Sequence, residues 1–114
     1  MNSIINVSEI ISSPAALTVE QGSLLYTEMI EKLQQGDTVS VDFCDIESII
    51  TPFLNASVGK LYEKYTSDEL KDRVKIINQP EGTNRKFNMV IRNAKQFYAD
   101  KDEYSKIIEN VLEK

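Results

Sequence analysis

The segment Thr38–Tyr65 constrains the fold most strongly, because a strand pattern is followed there directly by a helix pattern. Thr38–Phe43 alternates apolar with polar residues and is rich in β-branched side chains, which is typical of a strand with one buried face. We expect that face to carry Val39, Val41 and Phe43, with Ser40 and Asp42 on the other side. Asp45–Ile50 is then predicted to be the connection to the helix.

The helix pattern opens at Thr51-Pro52. Threonine is a good N-cap, and proline suits the first helical position because its missing N–H would lack a partner there in any case. Apolar side chains follow at four-, three- and four-residue steps and predict the buried face of one continuous helix: Leu54, Val58, Leu61 and Tyr65. Gly59 lies within this helix, and we interpret it as a site of close packing of the helix on the sheet.

The residues before Thr38 predict a strand and a helix. Ser3–Val7 is apolar enough for a first strand, and the break follows at Ser12-Ser13-Pro14. Thr18 with Gln21 has the spacing of a capping box, and Gly36 suits a left-handed helix end. Between them, small or apolar residues recur every three or four positions and predict one buried stripe: Gly22, Leu25, Tyr26, Met29, Ile30 and Leu33.

The residues after Tyr65 predict a short helical turn near Ser67–Leu70 and a third strand at Val74–Ile77. A helix from about Thr83 to Ala99 should carry Phe87, Ile91, Ala94 and Tyr98 inward, and a separate last helix is predicted over 100–114. The order of elements predicts one α/β domain over residues 1–114, with a small, mainly parallel sheet of three to four strands covered by helices. The last helix either packs on this domain or serves as a contact in a homodimer, and we favour packing.

Composition excludes several classes of protein. The 114 residues carry a net charge of −5, with 41% hydrophobic and 27% charged residues, which is typical of a globular protein and disfavours binding to nucleic acid or to an anionic membrane. No apolar run is long enough to span a bilayer, and residues 1–10 carry no pattern of a signal peptide, so we expect a cytoplasmic protein.

The chain has no histidine and one cysteine, Cys44. The commonest general base, the usual Ser-His and Cys-His pairs and the Cys/His zinc sites are therefore excluded, and we expect neither an enzyme nor a cofactor. Cys44 is interpreted as a small buried hydrophobic residue rather than a nucleophile. Asp42 and Asp45 could suggest a metal pair, but a hydrogen bond at the end of the strand is our interpretation of Asp42.

The run V-D-F-C-D-I-E-S-I-I-T-P-F-L-N-A-S-V-G-K-L-Y resembles the STAS-like family, small bacterial and phage proteins related to the anti-sigma-factor antagonists. The shared pattern is a strand ending in Asp-Phe, a short turn with an apolar pair, and a helix start with Phe and small residues. Its positions here are Asp42, Phe43, Ile46, Ile49, Phe53 and Leu54. The flanking helix and strand fit the same fold, so the resemblance covers most of residues 1–98.

The resemblance implies a regulatory module that binds a protein of the GHKL type, either an ATPase or a kinase. In the antagonists, a hydroxyl in an Asp-Ser-Ser-Gly-like segment at a helix start is phosphorylated by that partner. The segment falls here on Ile50–Phe53, where the acidic residue and the glycine are absent and only Thr51 carries a hydroxyl. A phosphate at a helix start would be stabilised by unpaired N–H groups and would repel an acidic or apolar partner. Simple capping of the helix by Thr51 is the alternative, and so is direct contact with a partner.

The turn at the carboxyl end of the Thr38–Phe43 strand is the candidate binding surface, because open α/β sheets place binding residues there. The exposed groups should be Asp45, Glu47, Ser48, Thr51 and Asn55, and a solvated loop is the alternative interpretation.

A second candidate surface is basic. Residues 82–99 contain no acidic residue. Within them, one helical face can carry Arg85, Arg92 and Lys95. Contact with phosphate or nucleic acid would make the protein an accessory factor of a phage or defence system, which is our alternative function. A solvated helix face is the simpler interpretation.

Overall fold

Three parallel strands in the order β1-β3-β5 form the main sheet of the computed structural model, which describes the backbone of residues 1–112 and the side chains of residues 1–99. A second sheet pairs β2 with β4, also in parallel. The elements in chain order are β1 Asn2–Asn6, α1 Val7–Ile11, β2 Ala15–Ala16, α2 Val19–Gln34, β3 Thr38–Asp42, β4 Ser48–Ile49, α3 Thr51–Ala56, a 3₁₀ helix Gly59–Glu63, α4 Ser67–Arg73, β5 Val74–Ile77 and α5 Asn84–Leu112.

The strand order explains why the helices cover one face of the main sheet. Both connections step in the same direction across the sheet, and right-handed crossovers in one direction lie on one side. Burial along the strands agrees with this arrangement: Val39 and Val41 are fully buried, whereas Ile4 is 69% exposed on the opposite face. The predicted α/β fold with a small parallel sheet is therefore confirmed, and its helical layer is one-sided.

Helix α2 has the bounds that its sequence predicts. The Thr18 hydroxyl accepts a hydrogen bond from the Gln21 backbone N–H at 3.0 Å, and the Gln21 side chain accepts one from the Thr18 N–H at 3.1 Å. Gly36 follows the helix with a φ of 88°, which suits a residue without a side chain. The predicted stripe is buried, except that Tyr26 is half-buried.

The core lies between the main sheet and the helices. Phe43, at the end of β3, meets Phe87 of α5 edge-to-face with ring centroids 5.1 Å apart. Such a geometry places the positive edge of one ring against the negative face of the other, which stabilises the pair beyond simple burial. This contact joins α5 to the carboxyl end of the sheet, where the candidate surface lies.

The predicted connection Asp45–Ile50 contains an unpredicted strand. Ser48 and Ile49 form β4 and pair with Ala15 and Ala16. The Glu47 N–H also donates to the Pro14 carbonyl at 2.7 Å. A two-residue strand is too short to show a recognisable pattern in the sequence. Its pairing depends on which segment of the chain lies beside it in the fold.

The predicted continuous helix Thr51–Tyr65 is wrong. Helix α3 ends at Ala56, Ser57 has a φ of −115° and a ψ of −87°, and the chain continues as the 3₁₀ helix. The buried positions are nevertheless as predicted for Leu54, Val58 and Leu61, and Tyr65 is half-buried. Gly59 packs closely as expected, but its neighbours are Val90 and Ala94 of α5 rather than the sheet.

Two other elements differ from the sequence prediction in their bounds, and one of them also differs in its buried face. The first strand is Asn2–Asn6 rather than Ser3–Val7, because the Asn6 side chain accepts the Glu9 N–H at 3.2 Å and starts α1. The predicted helices near 83–99 and 100–114 are one helix, α5. Within it Val90, rather than Ile91, is fully buried beside Phe87. The prediction that residues 100–114 pack on the domain concerns side chains outside the described residues.

Val74–Ile77 forms the third strand as predicted, and the short turn at Ser67–Leu70 is the start of the longer α4. Arg73, at the end of α4, donates hydrogen bonds to the backbone carbonyls of Leu33 and Asp37. Its guanidinium thereby satisfies carbonyls around the carboxyl end of α2 and joins the two crossovers. Among the described residues, no helix is both long and apolar enough to cross a membrane.

Candidate functional site

The turn after β3 is fixed by Asp42. Its carboxylate accepts hydrogen bonds from the Asn78 side chain at 3.0 Å and from the Cys44 N–H at 2.9 Å. The hydrogen bond from Asn78, followed by that from Cys44, lowers the pKa of the Asp42 carboxyl, because both donors favour its charged form. The interpretation of Asp42 as a hydrogen-bonding group at the end of the strand is therefore confirmed.

Cys44 is exposed, so its interpretation as a buried hydrophobic residue is wrong. It lies in the turn that follows β3, where its side chain is exposed next to the buried Phe43. Desolvation by its surroundings, together with the carboxylates of Asp42 and Asp45, raises the pKa of the Cys44 thiol. A raised pKa disfavours the thiolate, which is the reactive form of cysteine.

The five residues of the predicted surface separate into two places. Asp45, Glu47 and Ser48 are exposed near the carboxyl end of the main sheet, where Glu47 lines a hollow of about 590 Å³. The loop after β5 forms the opposite wall of this hollow, with Asn78 and Glu81. Thr51 and Asn55 instead line a groove of about 360 Å³ between α3 and α5.

Thr51 does not cap α3, contrary to prediction. Ile50 occupies the N-cap position and makes no side-chain hydrogen bond to the helix. The Ile50 N–H donates to the Ala16 carbonyl at 3.1 Å, which holds Ile50 extended beside the second sheet, and Thr51 is already helical, one residue earlier than predicted. Thr51 is half-buried, and capping does not engage its hydroxyl.

The groove beside Thr51 contains an exposed aromatic residue that sequence reasoning missed. Phe97 of α5 is 60% exposed and lines the groove together with Asn93 and Asn55. It packs edge-to-face against Tyr98 with ring centroids 4.9 Å apart. The signal in the sequence was a large aromatic residue next to Tyr98 but outside the predicted inward stripe.

The basic residues of α5 lie in different surroundings. Arg85, Arg92 and Lys95 are all exposed, but only Lys95 lines any of the hollows described here, beside the 3₁₀ helix and α4. Lys86 is engaged within the fold, because its ammonium donates to the Ile49 carbonyl at 2.8 Å. The basic face predicted for phosphate contact therefore contains one residue at a concave surface and two on open helix.

No group of three or more Cys, Asp or Glu side chains comes together in a metal-binding arrangement within the part of the chain that the structure describes. Asp42 is committed to Asn78 and to the Cys44 N–H, and the exposed acids Asp45 and Glu47 extend from the turn beside it. The arrangement presents both polar and apolar groups at the surface.

A three-stranded parallel sheet with helices on one face and loops at the carboxyl ends of the strands defines a small α/β domain of the STAS-like class. The family of STAS-like domains of unknown function (DUF4325) matches residues 21–81, which is more than half of the chain, and the protein belongs to this family. The match begins in α2 and ends just after β5. It therefore includes the hollow beside Glu47 and the α3 side of the groove beside Thr51, but not the α5 side of that groove. Neither the curated proteins nor the solved structures that were searched contain a match.

Proposed function

We propose that the protein is a non-enzymatic regulatory module that binds a protein partner through the surface around Thr51, Asn55 and Phe97. The observation that carries the proposal is the exposed Phe97 at the edge of the groove between α3 and α5. Aromatic residues are enriched at protein interfaces, because they bury a large area at a low cost in conformational entropy. The flanking amides of Asn55 and Asn93 can supply polar contacts around this apolar centre.

The proposed class of partner is motivated by the resemblance of the sequence to the anti-sigma-factor antagonists. A GHKL-type ATP-binding protein, either an ATPase or a kinase, is the partner that the relationship to anti-sigma-factor antagonists supports. Thr51 contributes a hydroxyl at the start of α3 that the helix does not use as a cap. Phosphorylation of this hydroxyl would add about two negative charges beside Phe97 and would weaken the docking of an apolar or acidic surface.

The test begins with co-purification of the protein with each GHKL-type ATPase and kinase encoded in the same genome. With the complex in hand, Phe97→Ser should weaken binding at least about tenfold, because truncation of a central aromatic hot spot typically costs about 2 kcal/mol or more. Leu24→Ser is the matched control, since Leu24 is 54% exposed on α2, away from this groove. Thr51→Glu should also weaken binding while the melting temperature stays unchanged.

Salt dependence distinguishes this function from the alternative. An interface centred on Phe97 should keep its affinity between low and high salt, whereas phosphate or nucleic-acid contact through Arg85, Arg92 and Lys95 would lose affinity steeply. Equal affinity of Phe97→Ser and Leu24→Ser for the partner would contradict the proposed surface.

A further inference from the structure

Two adjoining hollows lie on the other side of α5 from Phe97, between the 3₁₀ helix, the start of α4 and α5. Their volumes are about 320 and 310 Å³, and Tyr62, Ser67 and Lys95 line both of them. Of the residues with described side chains, Tyr98 alone also lines the groove beside Thr51. The two hollows, which we call the Lys95 site, are thus a separate surface from the proposed partner-binding surface.

The floor of the Lys95 site is apolar. Its second hollow reaches Val58, Leu61 and Leu70, which are almost fully buried core residues, and is completed by partly buried side chains of β5 and α5, Val74, Ile76 and Ile91. Concave sites of this size with a mainly apolar lining and a few polar groups are typical of small-molecule binding sites. A ligand here would contact the core directly.

The rim of the Lys95 site is cationic. Lys64 follows the 3₁₀ helix, Lys71 lies in α4 and Lys95 in α5, and Glu63 is the one acid that lines the first hollow among the residues with described side chains. Among the described residues, none of these three lysines forms an ion pair with a carboxylate. This local excess of positive charge contrasts with the net charge of −5 of the whole chain.

Hydroxyl groups between the lysines complete the rim. Ser67 and Tyr62 line both hollows, and Tyr98 lines the first. Burial raises the pKa of the Tyr62 phenol, so it stays protonated at neutral pH and can donate a hydrogen bond. Ammonium groups and hydroxyl donors above an apolar floor match a ligand that has an anionic head and an apolar body.

We propose that the Lys95 site binds a small amphipathic organic anion, a carboxylate with an aliphatic body, with its head at Lys95 and its body over Leu61 and Leu70. Charge complementarity selects the head, and the apolar floor selects the body. The site is concave and small, unlike the extended basic stripe with exposed aromatic residues that nucleic acid requires. The inference is independent of the proposed partner, because it uses none of Thr51, Asn55 and Phe97.

Amide chemical-shift titration of the full-length protein tests the proposal with three probes below any micelle concentration. Octanoate carries both head and body, octanol only the body and acetate only the head. Octanoate should give saturable shifts at Tyr62, Ser67 and Leu70, whereas octanol and acetate should bind at least about tenfold more weakly. Equal shifts from octanol and octanoate, or shifts confined to the groove at Phe97, would overturn the proposal.

Charge-removing variants complete the test. Lys95→Gln and Lys71→Gln should each weaken octanoate binding severalfold, whereas Arg92→Gln should leave it unchanged, because Arg92 is exposed on the same helix and lines neither hollow. All three side chains are exposed, so the variants should keep the wild-type melting temperature. Equal losses of octanoate binding in Lys95→Gln and Arg92→Gln would overturn the proposal, because they would assign the binding to the general charge of the protein. Hexaglutamate serves as an additional probe, and chemical-shift changes with hexaglutamate but not with octanoate would assign the site to acidic peptides instead.

Discussion

Helix α2 and the segment Thr51–Tyr65 both place apolar residues at three- and four-residue steps, yet only α2 is a continuous helix. Helix α2 has a capping box at its start and Gly36 after its end, and a broad face of it is exposed to solvent. The segment Thr51–Tyr65 lacks a side-chain cap and lies between α2 and α5. The spacing of apolar residues thus identifies which side chains are buried. The space between neighbouring elements decides which backbone conformation the segment adopts.

The contact between α2 and α3 shows how little space there is. A Cβ atom added at Gly22 would lie 2.6 Å from the Phe53 carbonyl oxygen and 2.8 Å from the Ala56 Cβ. A few residues later, the buried Ser57 hydroxyl donates to the same Phe53 carbonyl at 2.8 Å, which satisfies a buried polar group where the helix ends. Helix α3 is therefore held on both sides at the point where its regular hydrogen bonding stops.

The largest effect is expected at this contact. Gly22→Ala should lower the free energy of unfolding by about 1–3 kcal/mol, because the added methyl group overpacks a rigid backbone. The cost of this overpacking exceeds the gain in helix propensity from glycine to alanine. Urea denaturation measures the change. Ser23→Ala is the matched control on the exposed side of the same helix turn, and we expect it to lie within about 0.5 kcal/mol of wild type. Equal stability of the two variants would show that α2 and α3 can separate without cost.

A pair of threonine substitutions compares the two helix starts directly. Thr18→Ala should destabilise the protein by about 1 kcal/mol, because it removes the hydroxyl that accepts the Gln21 N–H. Thr51→Ala should change stability by less than about 0.5 kcal/mol, because Thr51 makes no capping hydrogen bond. Thermal unfolding of both variants provides the measurement. A cost at Thr51 as large as that at Thr18 would restore the capping role that the sequence predicted.

The smallest effect concerns pH. The pKa of Asp42 is lowered in the folded state, so its carboxylate stabilises the fold above the unfolded-state pKa of about 3.9, and this contribution is lost as pH falls through the lower folded-state pKa. Asp42→Asn should therefore be less stable than wild type at pH 6, by less than about 1 kcal/mol for a partly exposed group, and the difference should shrink below pH 4. Melting temperatures at pH 3 and pH 6 measure this, and a constant difference would argue against the lowered pKa.

The sequence alone determined the long α2, the strands β3 and β5, and most of the core, because these features depend on local capping, turn chemistry and alternation. It also identified the STAS-like family and the exposed positions in the turn after β3. It did not reveal β4, the end of α3 at Ala56 or the exposure of Cys44. These features depend on which segments lie alongside each other.

For the candidate surface, the sequence supplied Thr51 and Asn55, and only the tertiary structure placed Phe97 beside them and separated them from Glu47. Likewise Lys95 was visible as a basic residue, but its neighbours Lys64 and Lys71 come from elements that the fold brings together. Local sequence fixes what each segment prefers, because its interactions span only a few residues. The composition of a surface is decided by packing, because its members are distant in the chain and meet only when the core has formed.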